Sequence, residues 1–402
     1  MPLPDFYFGG TMDTRQLAEK YFDQMVETRR IIHQNPELSN KEYETTKLIT
    51  DQLTAWGIEI ADIGLNTGAI GIIRGAKPGK SIGIRADIDA LPMPEETGLP
   101  FASKNPGACH SCGHDIHTTT LLYVGKMLSD IKDELAGDVM LLFQPAEEGG
   151  GGAAQMKNKK YYEVMSPDCY VSLHVSPAIP VGSIGVKYGA SGASADGLTI
   201  TITGKGGHGA HPEAHINPIT IAAYTITQLE TIIARENDPQ MPAVLTMGSI
   251  HGGTKGNIVA DQVTIEATMR TLNPQLRLDM MAAVKRIVEG CASTMRGKGE
   301  AVFSKDGVPV LYNDETVTKM VHEAAEKVLG EGHVIVSNKP SMGSEDFSVF
   351  MDYGPGMQFS VGTKNEDPNS SIGIHNARNV FDEGALLTGA EVIVQTVRDY
   401  LK

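Results

Sequence analysis

The sequence predicts an α/β chain in two parts: a mixed sheet flanked by helices, interrupted by a smaller α+β insertion. Three observations carry this expectation. Over roughly the first 190 residues, short apolar runs alternate with helix-patterned stretches, as strands buried on both faces of a sheet do. Near residue 193 the pattern changes to period-two alternation, seen in "GLTITITGKGG" and "QVTIEATMRT", the mark of half-exposed strands. Apolar α/β patterning then returns. A chain of 402 residues also exceeds what one hydrophobic core usually supports. The expected domains are 1–192 with 305–402 for the α/β part, and 193–304 for the insertion.

Taken in order, residues 14–33 place Leu17, Tyr21, Met25 and Ile32 on one helical face. "SNKE" at Ser39–Glu42 reads as a capping box opening a second helix, which Gly57 ends. Strands are expected at 68–75, 81–88, 138–144 and 169–175, with a helix near 117–130 between the second and third. The insertion has strands at 197–207, 243–253, 262–271 and 300–304, and helices near 217–235 and 274–296. A helix near 314–329, strands at "HVIVS" and 356–362, and a final helix over 383–400 complete the chain.

Charge narrows the partners. With 34 Lys+Arg against 49 Asp+Glu the net charge is −15, which disfavours nucleic acid and anionic membrane. No apolar run approaches the ~20 residues that cross a bilayer. The N-terminal "MPLPDFYFGGTMD" has neither a basic run nor an apolar stretch, so no export signal is expected. Four cysteines are too few for a disulfide scaffold, and a reducing cytoplasm is the expected compartment.

The densest chemistry lies in "CHSCGHDIH", Cys109–His117. A redox Cys-x-x-C would need an apolar lead-in and βαβ context, which are missing. A structural zinc clip would need a second close ligand pair, and none follows. The stretch instead joins other polar clusters that sit past predicted strands or at helix starts: "PAEE" (145–148), His174 in "SLHVS" and His375 in "IGIHNA". In open α/β sheets such positions converge at the carboxyl ends of the strands. Cys112, His114, Glu148, His174 and His375 supply one thiolate, three imidazoles and one carboxylate. That is enough for one metal with spare ligands or for two, and it suits Zn²⁺, Mn²⁺, Co²⁺ or Ni²⁺. In the doublet Glu147–Glu148, neighbours point differently, so one can bind metal while the other acts as general base on a metal-activated water.

These motifs carry a resemblance. "RADIDALPMPEETGLPF", "CGHDIHTT", "PAEEGGGGA", "GKGGHGA", "SEDFSVF" and "GIHNARNVFDEGAL", in order along nearly the whole chain, resemble the amidohydrolase branch of the aminoacylase/carboxypeptidase G2 metallopeptidases. That branch includes hippurate hydrolases, indole-acetyl-amino-acid hydrolases and N-acetyl-diaminopimelate deacetylases. The resemblance implies a zinc-exopeptidase-like catalytic domain with an inserted lid that carries a dimer interface. It implies two divalent ions per subunit on Cys112, His114, Glu148, His174 and His375, with Glu147 as general base. His208 in "GGHGA" would stabilise the oxyanion in the partner subunit's site, and Asn257 and Arg270 would hold the substrate carboxylate. Asp87, Asp89, Asp115 and His117 read as ordering residues, while Glu345 and Asp346 match a signature without an assigned act. The chain departs from the pattern at Cys109, Ser111 and Ile116, and at His211-Pro212-Glu213, where the next histidine is His215. The expected activity is a metal-dependent amidohydrolase, aminoacylase-like, that cleaves a small N-acyl amino acid. A dipeptidase or carboxypeptidase on the same framework is the alternative.

Overall fold

Side-chain caps fix where several helices begin. Asp13 accepts from the Gln16 amide ahead of helix Thr14–Gln34, Asn217 from Ile219 ahead of Pro218–Thr231, and Asn273 from Leu276 ahead of Pro274–Thr294. In the last two, proline opens the helix, where its missing N–H would have no partner anyway. Asp314 caps Glu315–Leu329 through the amides of Thr316 and Val317. The computed structural model describes residues 12–149 and 151–402. The stretch read for an export signal lies outside the described residues up to residue 11.

The chain folds as two compact units. The first comprises residues up to Tyr188, Asn313–Ser337 and Phe350–Lys402. Its eight-stranded sheet runs, edge to edge, Glu59–Ile60, Ala69–Arg74, Ala136–Gln144, Lys77–Asp87, Cys169–Pro180, Gly356–Lys364, Ile184–Val186 and Val334–Val336. The inner four strands pair in parallel, whereas antiparallel pairs flank them on both sides, so the sheet is mixed. Helices Thr14–Gln34, His114–Asp130 and Gly384–Tyr400 pack on one another. They bury Leu17, Met25, Leu121, Val124, Leu128, Ile393 and Val397, each worth roughly 1.5–3 kcal/mol of apolar transfer.

The second unit comprises Gly189–Tyr312 and Asn338–Val349. Its antiparallel sheet has the order Ala243–Gly252, Gln262–Thr271, Asp196–Thr203, Lys298–Phe303. Along Asp196–Thr203 burial alternates residue by residue, as the period-two pattern demands. Ile200, Ile202, Val263 and Ile265 meet Ile221, Leu229, Val284 and Val288 of the helices in a separate core.

Two local expectations are corrected. The helix after "SNKE" spans Tyr43–Ala55, but Glu42 makes no capping hydrogen bond. Its first amides are capped from outside: Glu37 accepts from Glu44 and Thr45 at 3.1 and 2.8 Å. Ser39 and Glu42 are drawn to other partners, described below. The helix expected near 117–130 begins earlier, at His114. Gly113 makes this possible with a left-handed φ of 83°, and a Cβ there would fall 2.4 Å from Val175 Cγ2.

Candidate active site

The ends of the parallel strands bring the chemistry together in the first unit. Lys77–Asp87 ends on Asp87, Ala136–Gln144 leads into Glu147 and Glu148, Cys169–Pro180 carries His174, and the Gly113 turn delivers Cys112 and His114. All five donors anticipated from the sequence meet. Cys112 Sγ lies 3.5 Å from His174 Nε2 and 3.3 Å from His375 Nε2. Glu148 Oε1 lies 3.3 Å from His375 Nε2 and 3.7 Å from His114 Nε2. The atoms group into two triads, Cys112–His114–His174 and Cys112–Glu148–His375, which share the thiol. Glu147 joins His114 and Glu148 in a further cluster.

These donors fit a cation better than they fit each other. Ligands placed tetrahedrally at about 2.0–2.3 Å from one ion stand roughly 3.3–3.8 Å apart, the range found here. Among the described residues, His114 Nε2 and Glu148 Oε1 are buried and satisfied by no hydrogen bond, which is costly unless a ligand completes them. His114 and His174 each use Nδ1 on a carbonyl oxygen, of Asp89 at 2.9 Å and of Val175 at 2.8 Å. An imidazole donating from Nδ1 leaves Nε2 as its lone-pair nitrogen, turned to the cluster. Burial pushes the Cys112 thiol well above its usual range despite His114 nearby, so a thiolate there calls for positive charge.

A second layer fixes the donors. His117 accepts the Val175 amide on Nε2 at 2.8 Å and donates from Nδ1 to Asp87 at 2.6 Å. Both its nitrogens are thereby occupied. Burial opposes the charge on Asp87, but His114, His117 and Arg85 prevail and hold its carboxyl well below the usual range. Asp89 accepts from the amides of Glu147 and Glu148 at 3.1 and 3.0 Å. Beneath His114, Asp115 pairs with Arg29 at 2.6 Å and His33 at 2.8 Å, all buried. His375 is itself in left-handed backbone, φ 60°, and its amide donates to the Ser111 carbonyl. Ile116 lies in the first unit's core, and Cys109 is buried beside the Leu91 bridge.

The remaining candidates belong to the second unit. His208 and Asn257 come to one place there, since His208 pairs with Ile258 in a short ladder. The Ala210 amide donates to His208 Nδ1, so the exposed Nε2 carries the proton. His215 packs its ring on Gly207, where a Cβ would come within 1.9 Å of it. Arg270 is half-buried and commits one N–H to the Met342 carbonyl at 3.0 Å. Glu345 and Asp346 are buried, and the Phe347 amide donates to Glu345 Oε1.

Two features were not read from the sequence: the role of Glu42, whose spacing from Ser39 imitates a cap, and the partners of Asp115, which are Arg29 and His33. The only local sign of those partners was an i, i+4 polar pair within an otherwise amphipathic helix.

Fold and site together are those of a metal-dependent hydrolase of amide bonds. The sequence profile of peptidase family M20/M25/M40 matches residues 83–399, and the chain belongs to that family. It is 39% identical over 369 residues to thermostable carboxypeptidase 2 of Saccharolobus solfataricus, covering 92% of this chain and 93% of that protein. It is 36% identical over 378 residues to an N-acetyl-L-cysteine deacetylase of Bacillus subtilis, covering 94% and 88%. Among solved structures it is similar to the Bacillus subtilis YXEP protein, described as a dinuclear metal binding peptidase from the M20 family. The TM-score is 0.80 with 33% identity, covering 95% of this chain and 99% of that one.

Proposed function

We propose that this protein hydrolyses N-acyl amino acids, releasing a carboxylic acid and a free amino acid, with two divalent ions held in the first unit. The observation that carries this reading is the pair of donor triads meeting at Cys112, with Glu147 beside them. Cys112, His114 and His174 would hold one ion, and Cys112, Glu148 and His375 the other. Bound ions there lower the pKa of water toward about 7 and polarise the amide carbonyl. Glu147 takes the proton of the attacking water and passes it to the leaving nitrogen. His208 offers its Nε2–H to the negative charge that develops on the carbonyl oxygen. Arg270 and Asn257 hold the substrate carboxylate; with one of its five N–H groups on Met342, the Arg270 guanidinium keeps donors for a fork.

A second copy of the chain completes the reading. The edge strand Ala243–Gly252 exposes Val244 and Ile250, and helix Pro218–Thr231 exposes Ile219 and Tyr224. Unpaired edge and apolar side chains suit a like surface. Among the described residues no helix is long and apolar enough to cross a membrane.

The deacetylase and carboxypeptidase names of the relatives leave peptide cleavage as the second reading, because a dipeptide presents the same amide and carboxylate. Relative kcat/KM over N-acetyl and N-benzoyl amino acids and dipeptides separates the two, with the acyl substrates expected to lead. Glu147→Gln should keep its metal and lose kcat by about 10²–10⁴; turnover near that of the parent sinks the mechanism.

A further inference from the structure

The Ser39–Glu42 turn has the sequence of a helix cap and is employed elsewhere. Ser39 Oγ donates to Asp89 Oδ2 at 2.6 Å, and Asp89 in turn receives the Glu147 and Glu148 amides. Glu42 Oε1 accepts the Ala146 amide at 2.8 Å and the Asn40 amide at 3.0 Å. Three consecutive amides, Ala146 to Glu148, therefore end on two buried carboxylates from distant parts of the chain. Ala146 needs such a hold. Its φ is 54°, a region that a residue with a side chain enters only against steric cost, and it stands directly before Glu147. The other face of this turn is tied as well, since the Gly152 amide donates to the Ala146 carbonyl at 3.1 Å. No larger residue fits at Gly152, where a Cβ would fall 1.6 Å from the Pro145 oxygen.

From this geometry we infer that Glu42 is a positioning residue for hydrolysis: its carboxylate pins the Ala146 amide and so sets the direction in which Glu147 leaves the backbone. Glu42 reaches Glu147 through Ala146, while its hydrogen bond from the Asn40 amide holds its own turn. Its loss does not uncap the neighbouring helix, because Glu37 already receives the Glu44 and Thr45 amides. A loss of kcat at this residue is thus not explained by a lost helix cap. The inference rests on Glu147 being the general base.

The test is steady-state kinetics of the metal-loaded enzyme with an N-acyl amino acid, with metal content and thermal midpoint measured on the same samples. Glu42→Ala is expected to lower kcat about ten- to a hundredfold, the cost of a misaimed catalytic group. KM should stay within about threefold, with metal content at the parent value. Glu42→Gln presents an amide oxygen at the same place and recovers most of kcat. Ala146→Gly in the Glu42→Ala background recovers part of it, because glycine keeps a left-handed turn unaided. Should the alanine variant not fold, Glu42→Asp withdraws the carboxylate by one methylene and shows the same loss in kcat. Unchanged kcat in a folded Glu42→Ala or Glu42→Asp overturns the inference. So does a loss that tracks missing metal, or one that neither Glu42→Gln nor Ala146→Gly repairs. Glu147→Gln, run alongside, keeps the two readings apart. If it is inactive while Glu42→Ala is fully active, only the positioning role fails; if it is active, the base assignment fails.

Discussion

His114 Nδ1 lies 2.9 Å from the carbonyl oxygen of Asp89, a contact that only an N–H can satisfy, so Nε2 is the nitrogen that His114 turns to the cluster. The Asp89 carboxylate adds a second acceptor at 3.2 Å and also receives the Glu147 and Glu148 amides. One aspartate thus orders a donor on the His114 helix and the turn that carries two carboxylates. Asp89→Ala should weaken divalent-metal affinity about 10- to 100-fold, the usual effect of removing such support. Competition against a chromophoric chelator measures it, and an affinity within twofold of the parent contradicts the role.

If His208 serves the partner subunit's site, each inactive single variant lacks only one half of a composite centre. Mixing His208→Ala with Glu147→Ala protomers should then restore activity, up to about a quarter of the parent's in statistically mixed dimers with one intact site of two. Absence of recovery after subunit exchange has been demonstrated by mass would refute action in trans.

The Arg29–Asp115 pair is 1% and 0% exposed, at 2.6 Å. Burial opposes the charge on Asp115, yet Arg29 and His33 hold its carboxyl well below the usual range. Removing one partner leaves a buried charge uncompensated, so Arg29→Met should cost about 3–5 kcal/mol in urea unfolding. A cost under ~1 kcal/mol would show that His33 alone suffices.

Glu391 is the opposite case. Its side chain is 1% exposed, and among the described residues Oε1 finds no hydrogen-bond partner although Arg15 lies 3.5 Å away. Burial pushes its carboxyl up to about 7, against the pull of Arg15. The folded state then binds the proton more tightly than the unfolded state does. Stability is fully present below about pH 4.5, falls as pH rises through about 7, and is reduced by a constant amount above it. Glu391→Gln should raise the thermal midpoint at pH 8, by the equivalent of roughly 1–3 kcal/mol. It should also flatten the pH dependence between pH 5 and 8; an unchanged slope would count against the assignment.

Much of this was legible because local and global preferences agree. The face Leu17, Tyr21, Met25 and Ile32 is the buried face of the first helix, and the apolar runs ending near Asp87, Gln144 and Val175 are three of the four inner strands of the sheet. The convergence of Cys112, His114, Glu148, His174 and His375 was legible because each sits on a strand, at a turn or at a helix start at the same end of the sheet. Ser39 and Glu42 were not, because a capping box is a local arrangement that a stronger partner can displace. Asn40 turns there with φ 64°, Asp89 claims the Ser39 hydroxyl, and the Ala146 amide of a distant turn claims the Glu42 carboxylate. No spacing rule reveals a competition between residues 42 and 146.

Three left-handed positions aim the site: Gly113 before His114, Ala146 before Glu147, and His375 itself. Two of them are not glycine, and each holds its conformation against about 1–2 kcal/mol. A screen for heat resistance would therefore favour changes elsewhere that let Ala146 and His375 return to ordinary backbone angles, and so turn a carboxylate and an imidazole away from the site. Improvement of durability and improvement of turnover lead apart at this corner of the molecule, and stabilising changes are better sought in the second unit's core or at Glu391.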